Sequence, residues 1–210
     1  VNDQLSSSLF VGYDNVEVDG RILKFRESKT VEGKVNFHIV LDKTVFYPEG
    51  GGQIGDTGEI IVAQKKIKVI NTFREASEII HITDILPDNL NSTVTLKINK
   101  KRRSYIESNH TSTHLLNQAL RNILGNHVEQ RGSMISDKMF RFDFSHQNKI
   151  TDSELNNIEN FIREKINQSI DIIDKREEDY NTAIKNGAIG LFTEKYEDKV
   201  RTVKFNDSYE

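Results

Sequence analysis

The segment TVTLKINKKRRSYIESNHTSTHLLNQALRNILG, residues 93–125, contains the point at which the hydrophobic pattern of the chain changes. Up to Ile98 apolar and polar residues alternate, which is typical of a β-strand with one buried face. From Lys100 to Leu124 there is no proline or glycine, and Gly125 is a natural helix stop. The segment therefore predicts a strand that ends near residue 98 and a long helix that follows it.

The residues before this point have the pattern of a small β domain. Short alternating runs recur at near-regular spacing, which favours a small barrel. These runs are Arg21–Arg26, Val35–Leu41, Ile67–Ile70 and Thr93–Ile98.

The residues after the long helix mix strands and helices. We expect strands over residues 127–135 and 138–144, joined by a turn at Ser136-Asp137. A second helix is predicted to run to about Ser169, because Thr151 and Glu154 form a capping box and Ile150 and Leu155 occupy the positions of a hydrophobic staple. A short helix and a final strand at Val200–Phe205, punctuated by Gly187 and Gly190, complete the prediction.

The predicted fold class is therefore α+β, with a β-barrel domain in residues 1–98 and an α+β domain in residues 99–210. The chain has 210 residues, and no apolar run reaches the roughly 18 residues of a membrane span. It contains no cysteine, so disulfides, thiol nucleophiles and all-cysteine zinc sites are excluded within it. Because it starts at Val1 and has no secretory signal, we expect an excised piece of a cytoplasmic protein.

Charge is distributed unevenly along the chain. Residues 1–98 carry 11 basic and 14 acidic side chains, residues 99–150 carry 9 and 4, and residues 151–210 carry 9 and 14. The middle third is thus a basic island with a net charge of +5, the difference between 9 and 4. Such an island is either a solvated surface or a contact for nucleic-acid phosphates.

The long helix carries a pair of histidines, His110 and His114, spaced by four residues. This spacing places both imidazoles on one helical face, where they can reach one metal ion. Two structurally satisfied histidines are the alternative. The pair lacks the adjacent glutamate of a zinc protease, and two nitrogen ligands do not complete a zinc site.

A second motif, FYPEGGGQIGDTG at residues 46–58, holds five of the chain's twelve glycines. Gly50, Gly52 and Gly55 match a dinucleotide-binding spacing, but a strand-like run follows instead of a helix, so that interpretation fails. The loop is either a tight barrel turn or a place where a ligand approaches the backbone closely.

Together these motifs resemble the editing region of alanyl-tRNA synthetases and their free-standing relatives, the AlaX-type alanyl-tRNA deacylases. The resemblance extends over essentially the whole chain. It is carried by FVGYD at residues 10–14, residues 46–58, Arg103, NHTSTHLL at residues 109–116, HVEQRGS at residues 127–133 and FDFSH at residues 142–146.

The resemblance implies a β-barrel followed by an editing domain of the type shared by threonyl- and alanyl-tRNA synthetases. It implies a Zn²⁺ site with His110 and His114 as two ligands, and a Cys and a His expected beyond Glu210 as the other two. The editing-pocket glutamine corresponds to Gln130, which we take as the catalytic residue. The predicted substrate-binding residues are Gly50, Gly51, Gly52, Gln53, Asp56 and Thr111, and the predicted tRNA-binding residues are Arg102, Arg103 and Arg131.

The implied function is editing: hydrolysis of the ester that joins serine or glycine to tRNA-Ala by mistake. The implied parent is an alanine-specific synthetase whose ATP-dependent ligase domain lies upstream, and we expect the isolated 210 residues to be inactive. Two alternatives remain open, a free-standing deacylase with the same chemistry and an inert tRNA-binding module in which the histidines are structural.

Overall fold

The structure, a computed structural model, describes residues 8–188, 198–205 and 208–209. This part of the chain is a mixture of strands and helices. The strands are β1 (Leu9–Phe10), β2 (Glu17–Lys29), β3 (Val35–Leu41), β4 (Lys43–Thr44), β5 (Gly58–Val62), β6 (Lys65–Glu75), β7 (Glu78–Thr83), β8 (Thr93–Ile98), β9 (Gln130–Ile135), β10 (Phe140–Phe144), β11 (Ile172–Asp179), β12 (Lys199–Phe205) and β13 (Ser208–Tyr209). The helices are α1 (Lys100–Leu124), α2 (Asp152–Asn167) and α3 (Tyr180–Lys185).

A closed barrel is the main feature of the first half of the chain. Its strands follow the order β2-β3-β7-β6-β5-β8, and each neighbouring pair is antiparallel. The predicted small barrel is thus confirmed, as are the bounds of β3, β8 and α1. Strand β7 carries no alternation strong enough to have been predicted, and it fills the place between β3 and β6.

The barrel interior is filled mainly by aliphatic side chains that point inward from alternate positions of β3, β5, β6 and β8. Along β8 the buried residues are Val94, Leu96 and Ile98, with the half-buried Thr95 and the exposed Lys97 between them. The other members of this core are Ile39, Leu41, Val45, Phe46, Ile60, Val62, Ile67 and Val69. The alternation seen in the sequence is therefore the inside and outside of the barrel wall.

The imidazole of His81 on β7 lies fully buried in this unit. Its Nδ1 donates to the carbonyl oxygen of Ile39 at 3.1 Å, and its Nε2 lies 2.7 Å from the hydroxyl of Thr44. Both ring nitrogens of the neutral imidazole are therefore satisfied. Burial lowers the pKa of His81 to about 4, because charging the ring would place a cation in the barrel interior.

A buried ion pair attaches the start of α1 to the barrel. Arg103, with 8% of its surface exposed, donates from Nε to both carboxylate oxygens of Asp56, at 3.1 and 3.0 Å. Its two terminal nitrogens reach the carbonyl oxygens of Gly12 at 2.9 Å and Val45 at 3.1 Å. Oδ2 of Asp56, one of the two oxygens bound by Arg103, also accepts from the backbone N–H of Tyr47 at 2.8 Å.

The described chain separates into two compact units. The first comprises Val1–His110 and Ser133–Arg141, and the second comprises Thr111–Gly132 and Phe142–Glu210. The first unit thus extends past residue 98 and includes the N-terminal half of α1. The assignment of residues 99–210 to a separate folding domain stays a prediction.

The second unit has its own core, formed where the C-terminal half of α1 meets α2 and the strands. Ala119, Leu120, Val128 and Ile158 are buried there, and Phe142, Phe144 and Phe161 pack against them. Helix α2 begins with the predicted capping box, since the Thr151 hydroxyl accepts from the Glu154 N–H and the Glu154 carboxylate accepts from the Thr151 N–H. Leu155, predicted as one half of a hydrophobic staple, is 45% exposed.

The end of the chain differs in part from expectation. Strand β9 begins at Gln130 instead of residue 127, and β11, which pairs with β12, was not predicted because its sequence IIDKREED is mostly charged. The predicted short helix and final strand correspond to α3 and β12. Gly190, Asp207 and Glu210 lie outside the described residues. No helix in the described part of the chain is long and apolar enough to span a bilayer.

Replacing Arg103 by methionine should destabilise the first unit by about 3–5 kcal/mol, because the Asp56 charge would stay buried without its partner. The control is Lys65→Met, which removes a pair exposed on both sides in the same unit and should cost at most about 1 kcal/mol. Hydrogen-exchange protection of barrel amides measures the change in this unit. Equal effects of the two substitutions would contradict the structural role of Arg103.

His81 makes the stability of the barrel depend on pH. Its folded pKa of about 4 lies below the ordinary 6.5, so the unfolded state binds the extra proton between these values. Stability is therefore complete above about pH 6.5 and falls as the pH drops toward 4, by at most about 3 kcal/mol. His81→Gln should flatten this dependence in the same hydrogen-exchange measurement, and an unchanged slope would refute the assignment.

Candidate functional site

The glycine-rich segment, residues 46–58, forms a closed loop between β4 and β5 in the first unit. Tyr47 and Asp56 close it, since the Asp56 N–H donates to the Tyr47 carbonyl at 2.9 Å. At its tip Gly50 and Gln53 exchange two backbone hydrogen bonds of 3.0 and 2.9 Å. The exposed Gly51 lies within this turn. The loop therefore has a fixed shape, with its glycine backbone turned toward solvent.

The loop is held against strand β9. The Ile135 N–H donates to the Gly52 carbonyl at 2.8 Å, and the Ile54 N–H donates to the Ile135 carbonyl at 3.0 Å. Gly52 has φ +83°, and a Cβ added there would overlap the carbonyl oxygen of Ser133. Only glycine satisfies both conditions, because it has no side chain and populates positive φ without strain.

Gln53 connects this loop to the histidine pair of α1. Its side chain is buried, with 6% of the residue exposed, and its Oε1 lies 2.6 Å from Nδ1 of His110. An amide oxygen only accepts, so this contact places the imidazole proton on Nδ1 and the lone pair on Nε2. Histidines that bind metal ions in proteins have this arrangement, with one nitrogen on the metal and the other N–H donated to an oxygen.

Contacts of two further residues hold the start of α1 in the same unit. The Asn109 amide donates to the Ser136 carbonyl at 2.8 Å. Arg102 donates to the Gly55 carbonyl at 2.8 Å and lies 3.3 Å from the Asp137 carboxylate. Sequence reasoning missed Asn109, Ser136 and Asp137 as positioning residues, because nothing in their local pattern indicates which distant backbone they meet.

The other predicted site residues lie in the second unit. His114 and Thr111 are half-buried on α1, and Gln130 is half-buried at the first position of β9. Because an α-helix has 3.6 residues per turn, His114 follows His110 by about one turn on the same face of α1. Arg131 is exposed and pairs with Glu129 at 2.9 Å.

The donor chemistry of His110 and His114 fits two ligands of a zinc ion. The Gln53 contact holds His110 in the tautomer that a ligand needs, and His114 follows on the same helical face. In the described ranges no group of three or more His, Cys, Asp or Glu side chains is placed to hold a metal ion. The zinc site implied by the resemblance therefore stays a prediction.

Two of the predicted site residues, Arg103 and Asp56, are buried and bind each other. Arg103 is buried, its guanidinium donates to Asp56, Gly12 and Val45, and it lies 3.6 Å from the Glu107 carboxylate. Its predicted role in tRNA binding stays a prediction. Asp56, predicted to bind substrate, is 2% exposed and accepts from Arg103. One feature of the sequence could have indicated that Arg103 is buried. It lies three residues before Ile106, which is buried, and the two share a helical face.

A second histidine pair, His127 and His146, was not predicted. The two rings stack with centroids 5.2 Å apart, and Nε2 of His127 lies 2.9 Å from Nδ1 of His146. The Ser145 hydroxyl donates to the His127 carbonyl at 3.2 Å beside them. These contacts join the residues just before β9 to the residues just after β10, and both groups belong to the second unit.

Comparison with known proteins shows which proteins this chain is similar to. Residues 1–102 match the model of class II tRNA synthetases (A). The chain is 47% identical, over 95% of its residues, to the alanine–tRNA ligase of Cytophaga hutchinsonii, and 46% identical, over 96%, to that of Christiangramia forsetii. This chain is homologous to the alanine–tRNA ligases. The resemblance to alanyl-tRNA synthetases inferred from the motifs is thereby confirmed, and the assignment to their editing region stays a prediction.

The match covers only part of those ligases. The chain spans 23% of the length of both relatives, and also 23% of the Parabacteroides distasonis alanine–tRNA ligase, to which it is 47% identical. The homology to the alanine–tRNA ligases therefore concerns one segment of the enzyme, and that segment includes the glycine-rich loop, α1 and the β9–β10 segment described above.

Two glycines test the loop geometry. Gly52→Ala should release the loop from β9, because the new Cβ meets the Ser133 carbonyl in addition to the strain of φ +83°. Gly33→Ala is the matched control, since Gly33 has φ +81° but no atom within 4 Å of a new Cβ. It should show only the backbone strain, about 1–2 kcal/mol.

The measurement is hydrogen exchange at the amides of Ile54 and Ile135, which donate the two loop bonds. Protection at both should fall by about tenfold or more in Gly52→Ala, which corresponds to about 1.4 kcal/mol, and stay unchanged in Gly33→Ala. Equal protection in the two variants would show that the Ser133 contact is not what excludes a side chain.

Proposed function

We propose that this chain is the editing segment of an alanine–tRNA ligase and removes serine or glycine from tRNA-Ala in the cytoplasm. The observation that carries the proposal is the partly buried 2.6 Å contact between Gln53 and His110, which gives a histidine of the H-x-x-x-H motif the orientation of a metal ligand. The homology to alanine–tRNA ligases supports the choice of tRNA-Ala as substrate.

Editing has a physical reason in such an enzyme. A pocket shaped for alanine excludes the smaller glycine poorly, and it discriminates weakly against serine, which adds only a hydroxyl. A second site that hydrolyses the wrong ester provides the selectivity that binding alone does not. In this proposal the fold of the second unit is an editing domain of the threonyl- and alanyl-tRNA synthetase type.

In this proposal His110 and His114 hold a zinc ion together with ligands from outside the described residues. A bound zinc ion polarises a carbonyl and makes water more acidic. Gln130 orients the aminoacyl ester through its amide, and Thr111 lies on α1 between the two histidines in sequence. Gly51 and Gly52, both exposed, allow the substrate to approach the loop backbone closely.

In this proposal only some basic residues of the basic island, residues 99–150, contact tRNA phosphates. Arg131 is exposed and is the predicted arginine best placed for a tRNA phosphate, whereas Arg102 is half-buried against the loop. The lysines at the start of α1, Lys100 and Lys101, are exposed and extend the positive surface of the first unit. Phosphate contacts of this kind position the tRNA and do not read its sequence.

The proposal is tested by exchanging this chain for the matching segment of the Cytophaga hutchinsonii ligase. The chimaera should attach alanine to tRNA-Ala and release serine from Ser-tRNA-Ala. His110→Ala and Gln130→Trp should each slow the release of serine by about 100-fold or more while alanylation stays within about twofold, because they remove metal binding and substrate orientation.

The matched controls are His38→Ala on the barrel surface, which loses a 3.2 Å contact with Arg26, and the exposed Gln147→Trp. Both should leave serine release unchanged. Parallel loss of alanylation and serine release in the His110 variant would assign that residue to folding. Undiminished serine release in it would refute the metal-binding role of His110, and a chimaera that releases no serine at all would leave the chain as a tRNA-binding module.

A further inference from the structure

We propose that Gln53 is a positioning residue for His110, fixing its tautomer and the direction of its ring before any metal ion arrives. The amide oxygen of Gln53 accepts the Nδ1 proton, and the lone pair of the imidazole stays on Nε2. This inference rests on the proposed function only in assigning Nε2 to the metal. It replaces the predicted role of Gln53 in substrate binding.

The first support is that the Gln53 side chain is confined. The residue is 6% exposed, and its backbone N–H and carbonyl both bond to Gly50. It also forms a parallel bridge with Ile135 of β9. An acceptor held by its own backbone loses little entropy when it binds the ring, so a short hydrogen bond of 2.6 Å costs little to maintain.

The second support is that α1 and the loop are joined on both sides of this contact. Arg103, seven residues before His110 and on the same helical face, binds Asp56, which follows Gln53 by three residues. Asn109 is bonded to Ser136 beside it. The relative position of loop and helix is therefore determined without the Gln53 contact, which is the condition for a preorganised hydrogen bond.

The chemistry explains why a fixed tautomer matters. A neutral imidazole has one donor and one acceptor nitrogen, and only the acceptor can bind a metal ion. Without a partner for Nδ1 the ring populates both tautomers, and part of the population presents a proton where the lone pair is needed. Loss of such partners in metal sites typically weakens metal binding by about 10–100-fold.

The experiment observes the tautomer directly in the metal-free chain. Two-bond proton–nitrogen correlation spectra with ¹⁵N-labelled histidine, at about pH 8 where neutral imidazole prevails, should show His110 protonated at Nδ1. Gln53→Leu should shift the tautomer ratio by about fivefold toward Nε2–H, the equivalent of one ordinary hydrogen bond of about 1 kcal/mol. Gln53→Met, closer in shape, should produce the same shift.

Gln53→Glu keeps an acceptor oxygen and should restore the Nδ1–H form. The matched control is Arg102→Met, which removes the 2.8 Å contact with Gly55 in the same loop and should leave the His110 signals unchanged. If Gln53 only stabilised the loop, Arg102→Met and Gln53→Met would change the tautomer ratio of His110 to the same extent. His110 protonated at Nε2 in the wild-type chain, or a ratio unaffected by Gln53→Met, overturns the proposal.

Cobalt binding in the chimaera gives the second measurement. Co²⁺ alone, followed by its visible absorption, should bind about 10–100-fold more weakly in Gln53→Met and recover in Gln53→Glu. The two hypotheses fail separately. If His110 is protonated at Nδ1 but the chimaera does not release serine, the editing function is refuted and the positioning role of Gln53 stands. If the chimaera releases serine but His110 populates both tautomers, only the positioning role is refuted.

Discussion

The buried ion pair of Arg103 and Asp56 is the constraint on which the rest of the first unit depends. Arg103 lies in the first turns of α1 and Asp56 in the glycine-rich loop, so the pair joins helix to barrel. A buried arginine is stable only when every donor has a partner, and here two backbone carbonyls complete the set. Gln53 and His110 meet two turns further along because this joint places loop and helix side by side.

The glycines of the loop follow from the same constraint. Glycine stands where the chain passes another backbone too closely for a side chain, as at Gly52 beside Ser133 and at Gly55 beside the Thr72 carbonyl. The loop is thus compact because it is packed against β6 and β9. Its exposed part, Gly50–Gly52, is the part that packing leaves available to a ligand.

The sequence indicates which residues belong to the candidate site, but it does not indicate which distant residues they contact. His110 and His114 stand out by helical spacing, and the loop stands out by its glycines. The same reasoning predicts Arg103 as a tRNA-binding residue and gives no sign of its burial. An arginine in a basic run is expected to be exposed, because the sequence does not show which acceptors it meets. Those acceptors, from Gly12, Val45 and Asp56, are between 47 and 91 residues away in sequence. No local pattern reports such contacts.

The sequence by itself determined the local elements: the alternation of β3 and β8, the uninterrupted run of α1 and the capping box of α2. Each depends on residues within one or two turns or along one strand, and their physical chemistry is local. Only the tertiary structure decided that β7 closes the barrel, that His81 and Arg103 are buried, and that Gln53 meets His110. Those outcomes depend on which distant surfaces exclude water together, a property of the folded chain as a whole.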